Sequence, residues 1–127
     1  MTKATRKVAM CLMAHPDDCE FLAAGTLALL SQRGWKIYIV TMTSGDAGSA
    51  ELGPEEISTI RRGEAARSAR IIGASYHCLE SRDLFIMYDD ITLRKAMTLT
   101  RQISPTIVLT NSLEDYLHDH ELAGQIG

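Results

Sequence analysis

The chain has 127 residues, of which 46% are hydrophobic, and a formal net charge of −3. That is the size of one domain with a single apolar core, and the hydrophobic share excludes a disordered chain. The scattered Lys and Arg exclude a basic nucleic-acid face, and no apolar run is long enough for membrane insertion. The polar, basic stretch Met1 to Lys7 precedes too short an apolar run for a signal-peptide core. Cys11, Cys19 and Cys78 form neither a C-x-x-C pair nor a complete disulfide framework, which fits a reducing, cytoplasmic setting.

In chain order, Val8 to Met13 is a short continuous apolar run, the pattern of a buried strand. Ala14-His15-Pro16-Asp17-Asp18-Cys19-Glu20 follows at its carboxyl end, where open α/β sheets hold their ligands. The run from Phe21 to Leu30 then predicts a helix packed on the sheet, stopped at Gly34. Glu20, three positions after Asp17, could close a capping arrangement, which explains one acid. Capping does not explain an imidazole and three carboxylates between positions 15 and 20, a set that suits a metal or catalytic site.

Trp35 to Thr43 reads as a second strand, and strand, helix, strand with short joints implies a parallel right-handed crossover. The loop Ser44 to Ala50 carries glycines that would let backbone N–H groups approach an anion, but it lacks the Gly-Lys-Ser/Thr of a P-loop. A mobile connector is the plainer reading. Pro54 opens a helix running to about Ile72 and ending at Gly73. Ile57, Arg61, Glu64, Ser68, Ile71 and Ile72 share one side of it. Arg61 is either half of a helix-surface ion pair with Glu64 or an arginine held for substrate.

Ser75 to Leu79 predicts a third strand and Asp83 to Ile86 a brief extended piece. Asp89 or Asp90 caps the next helix, whose inward stripe is Leu93, Ala96, Met97, Thr100 and Ile103. Ser104-Pro105 ends it, and Thr106 to Thr110 is a buried strand. A second polar cluster, Asn111 to Glu121, follows, with a helix expected from Glu121 onward. Three of the four histidines, His15, His118 and His120, lie in the two acidic clusters that parallel strands would bring to one rim. His77, mid-strand, reads as structural. Two imidazoles and a carboxylate are a typical catalytic zinc set. His15 and Asp18 can reach one ion from a helix start, and His120 can complete the set. His118 and His120 face the same side in an extended loop but not in a helical turn.

The His15-Pro16-Asp17-Asp18-x-Glu20 motif, the Ser44 to Ser49 loop, the Arg61-x-x-Glu64 helix and the Asp115-Tyr116-x-x-Asp119-His120-Glu121 motif together resemble the zinc-dependent de-N-acetylases of the PIG-L/LmbE family. The resemblance implies an α/β, Rossmann-like three-layer sandwich with a mostly parallel sheet, in which residues 1–127 form a single domain, the N-terminal part of a longer family domain. It implies Zn2+ held by His15, Asp18 and His120, with Asp17 as general base and with Arg61 and Asp83 near the sugar. The implied partner is a small N-acetyl amino-sugar substrate, with no nucleic acid and no membrane insertion, and a homo-oligomer is left open. Two departures stand out. Leu117 occupies the position of the first histidine in the family's His-Pro-Asp-His pattern, and His118 that of the proline. Either His118 reaches around to protonate the leaving amine, or Asp17 serves as base and then acid, or activity is weak. The chain also stops where family members continue.

Three other readings compete. Two His and a carboxylate also form the facial set of non-haem iron oxygenases, usually on an all-β scaffold. A catalytically weak or inactive metal-binding module would keep the loops without turnover. A flavodoxin-type nucleotide binder lacks any phosphate motif here.

Overall fold

The apolar runs become four strands, β1 (Val8–Met13), β2 (Lys36–Thr43), β3 (Ser75–Ser81) and β4 (Ile107–Thr110). The helices between and after them are α1 (Asp18–Gln32), α2 (Pro54–Ile71), α3 (Asp90–Ile103) and α4 (His118–Ile126). The computed structural model describes residues 6–127, so residues 1–5 of the polar opening stretch lie outside the described residues. All strand pairings are parallel, in the order β3-β2-β1-β4. β1 is paired on both edges, which is why its sequence is continuously apolar rather than alternating. The fold is therefore the expected α/β sandwich.

Alternation along the strands builds two cores. Met10 and Leu12 join Val40, Met42, Ile103 and Leu122 on the face covered by α3 and α4. Ala9 and Cys11 join Ile37, Ile39, Leu27 and Ala69 on the face covered by α1 and α2. Parallel strands place all four carboxyl ends at one rim, where the loops after them meet. Among the described residues, no helix is long and apolar enough to cross a membrane.

Several expectations change in detail. Asp83 to Ile86 is not extended: Leu84 has φ 66° and the Phe85 N–H donates to the Arg82 carbonyl at 3.1 Å, closing a turn. On α2 the buried residues are Ile57, Ser58, Ala65 and Ala69, whereas Ile71 is 86% exposed. Small side chains bring that helix close to the sheet, and Arg61 and Glu64 flank the contact at its rim. On α3, Thr92, Ala96 and Ile103 are buried and Met97 is exposed, so the inward stripe is rotated from the one expected. Asp89 caps that helix, accepting from the Thr92 N–H.

The fourth helix begins at His118, not Glu121. It can pack there because Gly124 has no side chain: a Cβ would stand 2.6 Å from the Asn111 carbonyl oxygen and 2.8 Å from that of Ser112. Elsewhere in a helix, Gly→Ala gains about 1 kcal/mol. Gly124→Ala is instead expected to destabilise the chain by about 1–3 kcal/mol, the cost of overpacking against rigid backbone. Chemical denaturation of the two proteins checks the sign.

Candidate metal centre

The loop after β1 and the start of α4 bring His15, Asp18 and His120 together, with one potential ligand atom from each lying within 4.8 Å of the others. The His15 N–H donates to Asp18 Oδ2 at 2.8 Å, folding the loop so that the carboxylate returns over the imidazole. Asp18 Oδ2 then lies 3.4 Å from His15 Nδ1 and 3.4 Å from His120 Nε2.

The outward nitrogens are also engaged. His15 Nε2 is 2.7 Å from Asp119 Oδ2, and His120 Nδ1 is 3.0 Å from Asp115 Oδ1. A carboxylate behind each imidazole fixes its tautomer and leaves the inner nitrogen as a lone-pair donor. Two such imidazoles and a carboxylate converging on one point fit a divalent cation. Asp119, only 2% exposed, is held in turn by the Leu84 N–H at 2.8 Å. Asp119→Ala is expected to release the His15 ring and weaken the binding of added zinc by about 10- to 100-fold, read by competition with a chelator.

The electrostatics show how strongly this pocket calls for positive charge. Burial alone would lower the His15 pKa, but hydrogen bonds to Asp18 and Asp119 outweigh it and push it up to about 9. Burial alone would raise Asp18, and the hydrogen bonds from His15 outweigh it and hold its carboxyl below the usual range. Because the folded-state pKa of His15 lies above its ordinary 6.5, protonation favours the fold. The metal-free chain is therefore expected to lose stability as pH rises from about 6.5 to about 9. Thermal unfolding in chelator across that range measures it.

Asp17 sits beside the cluster with φ 103°, a left-handed conformation that costs a non-glycine residue about 1–3 kcal/mol. It occupies the N-cap of α1 but makes no side-chain capping bond, so the capping arrangement with Glu20 does not form. Arg61 holds it instead. Arg61 Nη2 donates to the Pro16 carbonyl at 2.7 Å and to Asp17 Oδ2 at 3.0 Å, and Nη1 donates to Glu64 at 3.0 Å. The ion pair and the arginine at the cleft are thus one arrangement.

A cleft of about 610 Å³ opens over these groups, and Asp17, Asp18, Arg61, Asp83 and Tyr116 are among its lining. Asp83, 9% exposed, accepts from the Ala47 N–H at 2.9 Å through Oδ2, while its buried Oδ1 has no partner among the described residues. Asp46 in turn accepts from the Asp83 N–H, so the glycine-bearing loop is tied to the β3 turn rather than free.

The structure does not bring His118 to this cluster. In a helix, residues two apart lie roughly 200° around the axis. His118 accordingly points outward, its side chain 76% exposed and 3.4 Å from Glu121. Leu117 and Tyr116 line the cleft in its place. His77 packs on Tyr38 within the sheet, with ring centroids 5.9 Å apart. Asp115 and Asp119 stand in the sequence as members of the Asp115-Tyr116-x-x-Asp119-His120-Glu121 motif, but nothing there assigned them to the two imidazoles.

Comparison with known proteins accords with this geometry. Residues 10–127 match the family PIG-L: GlcNAc-PI de-N-acetylase. A 4-oxalmesaconate hydratase of Pseudomonas putida is 31% identical over 93% of the chain and 49% of its own length. A diacetylchitobiose deacetylase of Thermococcus kodakarensis is 31% identical over 81% of the chain and 40% of its own length. The solved N,N'-diacetylchitobiose deacetylase of Pyrococcus horikoshii superposes with a TM-score of 0.89 at 29% identity, covering 96% of this chain and 48% of that one. The chain therefore spans about half the length of these relatives, or less. With the family pattern matched from residue 10 onward and the same fold around the cluster, the chain belongs to the PIG-L (GlcNAc-PI de-N-acetylase) family.

Proposed function

We propose that the chain carries the zinc-dependent centre of a hydrolase that removes the acetyl group from an N-acetylated amino sugar or its conjugate. The observation that supports this most is a three-ligand cluster with an acid beside it that is not one of the ligands. Zinc held by His15, Asp18 and His120 would bring the pKa of a water toward about 7 and polarise an acyl carbonyl.

Asp17 is the general base. Its Oδ2 is held by Arg61, which leaves Oδ1 to take the proton of the attacking water. The water oxygen bonds to the acetyl carbon, the C–N bond breaks, and the proton passes from Asp17 to the departing amine. His118 lies outside the cleft, so Asp17 acts first as base and then as acid. Arg61 keeps Asp17 and the Pro16 carbonyl in place and offers its remaining N–H groups to sugar hydroxyls. Asp83 stands in the wall of the same cleft, on the side where the sugar would lie.

A second reading has a specific motive. The Pseudomonas putida relative is named a hydratase, and a solved structure from the same species, that of a 4-carboxy-2-hydroxymuconate hydratase, superposes with a TM-score of 0.88. The same base and cation would direct water to an electrophilic C=C carbon instead of an amide. The test is a turnover screen of the 127-residue chain, with zinc content measured on the same sample. It compares acetate release from diacetylchitobiose and N-acetylglucosaminyl conjugates with hydration of 4-oxalmesaconate. Acetate release supports the deacetylase. Hydration alone supports the second reading. Bound zinc with neither leaves a metal-binding module without activity.

A further inference from the structure

The two halves of the metal cluster are far apart in sequence, and a single residue touches the supports of both, one through its side chain and the other through its backbone. The Ala14 peptide, which directly precedes His15, is gripped on two flanks. Its N–H donates to Asn111 Oδ1 at 3.0 Å. Its carbonyl accepts from the Thr43 N–H at 2.9 Å and from Thr43 Oγ1 at 3.2 Å. Thr43 and Asn111 are both buried, so neither bond competes with solvent. The same Asn111 offers its backbone carbonyl as the surface on which α4 rests, at the point where a Cβ on Gly124 would collide. That helix carries His120 one turn earlier.

We propose that Asn111 is a positioning residue that sets the separation of His15 and His120 and so fixes the geometry in which a divalent cation is held. Its amide orientation is forced: only Oδ1 can face the Ala14 N–H, because a flip would set donor against donor. The cost of that choice is visible in Nδ2, which is buried without a partner among the described residues. The side chain is thus only half satisfied by the protein around it, and the satisfied half is the one that holds the residue before His15. This inference rests on the metal-binding reading of His15, Asp18 and His120, and not on which bond the protein acts upon.

The experiment measures zinc affinity by chelator competition and the ligand-field spectrum of the cobalt-substituted chain, alongside thermal unfolding of the metal-free form. Asn111→Leu is expected to weaken zinc binding by about 10- to 100-fold and to shift the cobalt bands. Asn111→Asp keeps an acceptor facing Ala14 and is expected to recover most of the affinity. Ile103→Ala removes core packing far from the cluster and should lower the unfolding temperature with zinc affinity unchanged. If Asn111→Leu does not fold, Asn111→Ser, too short to reach the Ala14 N–H, replaces it. Zinc bound as tightly by Asn111→Leu as by the parent chain overturns the proposal. So does an equal loss in Ile103→Ala, which would trace the effect to stability alone. A parent chain that binds no zinc would remove the metal reading itself, and this inference with it.

Discussion

Asp17→Asn is expected to lower turnover by about 10²- to 10⁴-fold while zinc remains bound in unchanged amount. The two observables separate because Asp17 is not among the residues whose atoms converge on one point, whereas Asp18 next to it is. Asparagine keeps the size of the side chain and an oxygen for Arg61, but it cannot accept the proton of the attacking water. The strained backbone at Asp17 aims its side chain over the cleft while the following residue turns back toward His15. Acetate release that persists in Asp17→Asn with zinc still in place would assign the base to another group.

The second large effect contrasts two histidines two positions apart. His120→Ala should weaken zinc binding by more than the about 10- to 100-fold loss expected of an outer partner such as Asp119, because it removes a ligand rather than a support. His118→Ala should leave both zinc affinity and turnover unchanged, since its ring stands outside the cleft, beside Glu121. Chelator competition on the two variants measures the contrast. Equal losses in both would mean that the first turn of α4 is not helical where His118 and His120 sit.

Much of this architecture is legible in local patterns. A strand buried on both faces needs an unbroken apolar run, and Val8 to Met13 supplies one, so the position of the polar motif after it followed from strand direction alone. His15, Asp18 and His120 were legible for a chemical reason: imidazole and carboxylate at a strand's carboxyl end have few other uses. What escaped was set by tertiary context. The start of α4 at His118 depends on the contact between Gly124 and the Asn111 and Ser112 carbonyls, which no periodicity announces. That one shift of helix start moved His118 out of the site. The inward face of α3 followed from how the helix lies on the sheet, which placed Ala96 inside and Met97 outside. Asp119 and Asp115 were legible in the sequence only as members of a motif, with no role of their own. Their role behind the imidazoles appears only when β1 and β4 lie side by side.

X-ray absorption at the zinc edge, on the chain loaded with one equivalent of zinc, tests the central claim most directly. Two imidazole nitrogens and a carboxylate oxygen at about 2.0–2.2 Å, with no sulfur neighbour, are expected. A sulfur shell near 2.3 Å would place the ion at a cysteine instead. That result, or the same spectrum from a His15→Ala, His120→Ala double variant, would contradict the account.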